Sequence, residues 1–272
     1  MTSQSSSSSS FQIAPVAITP QKSSENPTMI RSGYLGVIGG PMFSGKTTFL
    51  LDQLKLYADA AEQCGRKVRP LLITTIIDDR KINNCKGVTS HSSQFFGISP
   101  KIDVVNVAKL SEVDIKGREI IGVDELQFFE EGSSKIIIDW VEKNNLYVYV
   151  VTLTGTSDLD LFGEAHLFFS HWDDFFHKKA ICHDCLCEIK NLNKVTPYYS
   201  MPSAPFTFKL TATKSKIDVG GADKYIPLCR YHYTSRTKQR ESETSEQKML
   251  EICVNQNIVS PTPVKIHNLI NS

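Results

Sequence analysis

Eight residues, Gly40-Pro41-Met42-Phe43-Ser44-Gly45-Lys46-Thr47, fit the pattern G-x-x-x-x-G-K-[ST]. An apolar segment, Tyr34 to Gly39, leads into them. Behind them, Thr47 to about Glu62 carries Leu50, Leu51, Leu54, Tyr57, Ala58 and Ala61 at helical spacing. A strand, a glycine-rich loop and a helix in that order leave few architectures open. Glycines let successive backbone N–H groups face one anion, and the helix N-terminus adds partial positive charge. Lys46 is placed to reach β- and γ-phosphates, and the Thr47 hydroxyl to ligate Mg²⁺.

The rest of the central chain alternates in the same way. Val68–Ile77, Asp103–Val107, Glu119–Val123 and Leu146–Leu153 read as strands, and Ser133–Lys143 has helical period. Near-continuous apolar strands alternating with helices predict an α/β fold: a P-loop NTPase-like, mostly parallel sheet with helices on both faces. This domain is expected over residues 33–178. Beyond Lys179 cysteines, prolines and glycines take over and helical period disappears, which suggests a small separate domain over 179–234. Residues 1–32, with serines from Ser5 to Ser10, are expected to be disordered. Residues 235–272 form a polar tail, with a linker or loose helix from Thr234 to about Gln247.

Two acidic segments follow strands. Ile120 to Gln127 is an apolar run ending in Asp124 and Glu125. An aspartate at the C-terminal end of a strand beside a phosphate loop completes a nucleotide site and holds Mg²⁺ directly or through water. Glu125, pointing to the other face of an extended segment, can accept a proton from an attacking hydroxyl. Asp78, Asp79 and Arg80 close the preceding strand. Asp78 can join the metal shell, and Arg80 can stabilise charge on a transferring phosphoryl group.

The chain has seven cysteines, an odd count without a secretory pattern, and three fall within Cys182–Cys187. Such clustering suits metal ligands or reduced thiols of a cytoplasmic protein. Cys182-x-x-Cys185 and Cys229-x-x-His232 can supply four tetrahedral ligands to one structural zinc, with Cys187 and His183 as competitors. With 30 basic against 29 acidic residues the net charge is +1, which argues against nucleic acid as a partner and against a polybasic membrane-surface protein. No apolar run approaches the ~20 residues that span a bilayer.

Taken together, G-P-M-F-S-G-K-T at 40–47, D-E-L-Q-F-F at 124–129, G-G-A-D-K-Y at 220–225 and the paired knuckles resemble the zinc-containing, cellular and viral (type II) thymidine kinases over roughly residues 34–234. The resemblance implies phosphorylation of a deoxynucleoside 5′-hydroxyl by ATP with Mg²⁺ for nucleotide salvage, one structural zinc, and a homotetramer or homodimer. Carried over position by position, it makes Glu125 the general base, with Lys46 and Arg80 as its catalytic companions. It assigns the phosphate loop, Asp78–Arg80, Asp124, Glu125, Leu126 and Gln127 to ATP. It assigns Ser157, Thr207, Lys216, Ile217, Asp218, Val219, Gly220 and Tyr225 to the nucleoside, and sets Met42 near the base methyl group.

The chain also departs from that family. The family's L-D-G-T-F reads Leu153-Thr154-Gly155-Thr156-Ser157 here, so an acid and a ring beside the substrate are replaced. Leu126 replaces a usual glycine, Asp218 a usual apolar residue, and an insertion lies near Leu186 to Ser203. These changes touch base recognition more than phosphoryl transfer. They keep open a kinase of another nucleoside, or a non-catalytic nucleotide-binding relative.

Overall fold

The computed structural model describes residues 32–76, 98–191, 202–211 and 220–255, plus the backbone of two short strands within 87–97. Of α4, residues 249–255 are described as backbone alone. The Ser-rich N-terminal stretch, Asp78, Asp79, Arg80, Lys216–Val219 and residues 256–272 lie outside the described residues.

In chain order the elements are β1 (Tyr34–Gly40), α1 (Lys46–Gln63), β2 (Leu71–Thr75), β3 (Gly87–Thr89), β4 (Phe95–Gly97), β5 (Asp103–Val107), β6 (Ile120–Val123), α2 (Ser133–Glu142) and β7 (Tyr147–Leu153). They continue with β8 (Asp174–His177), β9 (Ala180–Ile181), α3 (His183–Asn191), β10 (Ser203–Ala204), β11 (Phe206–Lys209), β12 (Tyr225–Leu228) and α4 (Arg230–Asn255). Six strands form one sheet in the order β5-β2-β6-β7-β1-β8, and every pairing in it is parallel. Alternate residues of each strand feed opposite layers. Val37, Ile73, Ile121, Val123 and Val150 meet Ile137 and Trp140 of α2. Ile38, Leu72, Ile120 and Val151 meet Leu50 and Leu54 of α1. The expected parallel sheet with helices on both faces is what forms.

Gly122, in β6, sets how closely α1 lies on the sheet. A Cβ there would come 2.8 Å from Leu54 Cδ1 and 2.9 Å from Leu50 Cδ1, and both leucines are fully buried. Gly122→Val is expected to destabilise the protein by about 1–3 kcal/mol through overpacking. Chemical denaturation monitored by fluorescence would read this; unchanged stability would mean that α1 shifts freely.

After β8 the chain builds two small antiparallel ladders, β9 with β10 and β11 with β12. A separate apolar cluster unites them: Ala180, Cys182, Cys185, Ala204, Phe208, Ile226 and Leu228. The expected loss of helix beyond Lys179 is corrected here, since α3 and α4 both lie in this region. Tyr231–Asn255 contains no glycine or proline and is rich in arginine, lysine, glutamate and glutamine, all good helix formers. The stretch expected as a linker or loose helix is therefore part of α4, which begins inside the second Cys/His knuckle. Arg236 makes a double hydrogen bond to Asp184 of α3, at 2.6 and 2.8 Å, and Arg240 donates to the Lys209 carbonyl.

Candidate active site and metal centre

Because all six strands run the same way, their C-terminal ends share one edge of the sheet, where α/β folds place ligands. Gly40, Thr75, Val123, Leu153 and His177 end there. The loop Pro41–Gly45 connects β1 to α1, with Phe43 at φ 65 and Gly45 at φ 74. Gly45 tolerates the left-handed turn that opens α1 without a side-chain cap. The first N–H groups of α1 are thus left to face an anion. Lys46 is 4% exposed, and its Nζ donates to the Pro41 carbonyl at 2.7 Å. Ser44 Oγ donates to the same carbonyl at 2.8 Å.

The strand ending in Asp124 is not the neighbour of β1, because β7 lies between them. The gap is bridged from above. The first turn of α1 carries Thr47 across, and its Oγ1 donates to both Asp124 oxygens, at 3.2 and 3.1 Å. Asp124 and Glu125 are 4% and 3% exposed, so neither is a solvated strand-end acid. Nor is Glu125 in extended backbone, as alternation along the strand predicted. Its φ is 54, and a 3₁₀ turn, Leu126–Phe128, starts at once. The turn, rather than the strand pleat, aims its side chain. Leu126 and Gln127 are also buried.

A cavity of about 540 Å³ opens beside this edge. Pro41, Leu153, Phe162 and Thr207 line it, together with the rings of Phe169, Trp172 and Phe175. Trp172 stacks on Phe175 with ring centroids 4.8 Å apart. Phe128 meets Phe162 edge-on. Sequence reasoning missed this aromatic wall. Its one signal was the density of rings between Phe162 and Phe176.

Thr207 is buried, and its Oγ1 accepts the Met42 N–H at 3.0 Å, tying the phosphate loop to β11. Phe43 packs on the small cluster that contains Cys182 and Cys185. Ser157 is half-buried, and its carbonyl accepts from Tyr233 Oη at 2.6 Å. Gly220 and Tyr225 are half-buried at the start of the β12 segment.

Of the cysteine region's candidate ligands, Cys182, Cys185, Cys229 and His232 converge, with one ligand atom from each within 4.8 Å of the others. Cys187 and His183 are exposed, lie near each other, and stand outside that group. Zn–S bonds of about 2.3 Å and Zn–N of about 2.0–2.1 Å imply tetrahedral edges of about 3.8 Å (S···S) and about 3.5 Å (S···N). Cys185 Sγ and Cys229 Sγ are 3.9 Å apart. His232 Nδ1 lies 3.5, 3.3 and 3.4 Å from the sulfurs of Cys182, Cys185 and Cys229. The donor set fits such an ion. Burial, reinforced by the Cys182 sulfur, pushes the Cys185 thiol up, a conflict a divalent cation removes by binding thiolates. On its far side His232 Nε2 meets Glu188 Oε1 at 3.0 Å, the carboxylate backing that orients a ligating imidazole. Glu188 was hidden in the sequence because α3 was.

No helix among the described residues is long and apolar enough to cross a membrane. The family model described as "Thymidine kinase" matches residues 33–233. The thymidine kinase of fowlpox virus is 30% identical over 206 residues, 73% of this chain and 96% of its own length. That of Pseudothermotoga lettingae is 29% identical over 205 residues, 74% of this chain and 95% of its own. The cytosolic thymidine kinase of Gallus gallus is 28% identical over 218 residues, 79% of this chain and 83% of its own.

Proposed function

The chain belongs to the thymidine kinase family, and from that premise we propose that it transfers the terminal phosphoryl group of ATP to the 5′-hydroxyl of thymidine. The products are thymidine monophosphate and ADP, for nucleotide salvage. One observation carries the reading. Thr47 and Asp124 are joined by hydrogen bonds across an intervening strand, with Lys46 and Glu125 as their buried chain neighbours, at the sheet edge where an aromatic-walled cavity opens.

In this reading the loop amides and Lys46 hold the phosphates, and Lys46 leaves the Pro41 carbonyl for them. Thr47 and Asp124 offer the hard oxygen ligands that suit magnesium, which neutralises charge on the β- and γ-phosphates when bound. The nucleoside base lies in the cavity, against Phe162 and beside Thr207. Glu125 takes the proton of the 5′-hydroxyl as that oxygen bonds to the γ-phosphorus and the bond to the β,γ-bridging oxygen breaks. Arg80 is assigned charge stabilisation of the transferring group, with its chain neighbours Asp78 and Asp79 assigned to ATP. The clamp runs from Lys216 through Gly220 to Tyr225. Zinc is the ion that Cys182, Cys185, Cys229 and His232 suit, in a structural role, because four protein ligands leave no open position. Compartment and assembly follow the same reading: a cytoplasmic enzyme, dimeric or tetrameric.

A panel of nucleosides with ATP and Mg²⁺ in a coupled ADP-release assay tests the substrate. Thymidine is expected to give the highest kcat/KM. Preference for another nucleoside by tenfold or more would move the reading to a sister kinase, a case to which Thr154 and Ser157 speak. ATP binding without nucleoside-dependent ADP release would leave a non-catalytic relative.

A further inference from the structure

Gln127 is buried, and both ends of its amide are engaged inside the protein. Its Oε1 accepts the backbone N–H of Leu153 at 3.2 Å, and its Nε2 donates to Glu125 Oε2. A backbone N–H can only donate, so it must face the amide oxygen, which leaves the NH₂ for the carboxylate. Leu153 closes β7 and lines the cavity. The amide is therefore a strut between the cavity wall and the side chain of Glu125. The base of the same side chain lies against Gly163, at φ 62, where a Cβ would come 3.0 Å from Gln127 Cα and 3.3 Å from its Cβ. The loop after β7 closes onto Gln127 because residue 163 has no side chain.

We propose that Gln127 is a positioning residue for Glu125, fixing the rotation of its carboxylate relative to the end of β7. Its role is to act through Glu125, a role different from the ATP contact that the resemblance implies for it. This rests on the reading of Glu125 as general base. A glutamate side chain has three rotatable torsions, and its backbone here already sits in the left-handed region. The strut converts a floppy acceptor into a directed one. Reacting groups misplaced by about 1 Å lose up to ~10²-fold in rate, so the strut's contribution belongs in kcat.

The test is a double-mutant cycle on the full chain with Gln127→Met, Glu125→Gln and the pair together. Readouts are kcat, KM for thymidine and for ATP, and melting temperature. Methionine matches glutamine in length and fills the buried site. Gln127→Glu is the second variant, since it keeps an acceptor for the Leu153 N–H but replaces the donor to Glu125 with a second carboxyl, which repels Glu125 or ties it up in a shared proton. Both single changes at Gln127 are expected to lower kcat ~10-fold or more with each KM within about threefold. Added to Glu125→Gln, Gln127→Met is expected to lower kcat by less than about twofold further, because the group it positions is already gone. The proposal is overturned by kcat losses that multiply, by a full-speed Gln127→Glu enzyme, or by a raised KM for ATP at unchanged kcat. A fully active Glu125→Gln single variant is a separate result, and it removes the general-base reading on which the proposal stands.

Discussion

Glu125→Gln is expected to lower thymidine turnover by at least ~10²-fold while ATP still binds. The substitution keeps side-chain length and leaves an oxygen to accept from Gln127 Nε2, so the local network of Gln127 and Leu153 survives. It removes the negative charge and with it the capacity to take a proton. In the proposed function phosphate binding is assigned to other groups: the loop amides, Lys46 and the Thr47–Asp124 pair. The expected signature is therefore a collapse of kcat with KM for ATP nearly unchanged, read in steady state and checked by direct ATP titration. Normal turnover would remove Glu125 from the reaction. A large loss of ATP affinity would instead mean that it supports the phosphate site.

The phosphate loop and its helix were legible because everything that defines them is local: two glycines, a lysine, a hydroxyl, and the period of Leu50, Leu54 and Ala58. Strand order was not. Nothing in the residues of β7 announces that it inserts between β1 and β6, since parallel neighbours are chosen by long-range packing. The backbone at Glu125 was illegible for a different reason. A positive φ at glutamate is uncommon, and no glycine marks the turn. β8 escaped notice because Asp174-Phe175-Phe176-His177 is an edge strand that lacks clean alternation.

The cysteine region divides along the same line. Ligand spacing pointed to the four side chains that converge in the structure, because two-residue gaps are a local signature. It could not choose against Cys187, which is excluded by lying outside the converging group. Helix α3 was masked by its own chemistry. Its buried side is made by Cys185, while His183, Asp184 and Glu188 make polar contacts, so no apolar stripe shows in the sequence.

Loss of the metal is expected to reach further than the segment that holds it. Metal analysis is expected to find one zinc per chain in the parent protein and none in Cys182→Ser, and proteolysis of the region around residues 179–234 is expected to speed up. Thymidine phosphorylation should fall at least ~10-fold, because coordination of this kind is itself folding free energy. Apart from the ligands, the local core holds Ala180, Ala204, Phe208, Ile226 and Leu228, two of them alanines, too little apolar surface to order two short ladders unaided. The consequence for the active edge follows from two contacts. Thr207 receives the Met42 N–H from the phosphate loop, and Phe43 of that loop packs on the same core. When the core loosens, both anchors of the loop loosen with it, so ATP affinity is expected to drop several-fold alongside nucleoside binding. Cys187→Ser, at an exposed residue outside the ligand group, should keep the zinc and the activity. A Cys182→Ser protein that is metal-free yet fully active would show that the ladders stand without the ion, and would sever the link drawn here from the metal to the phosphate loop.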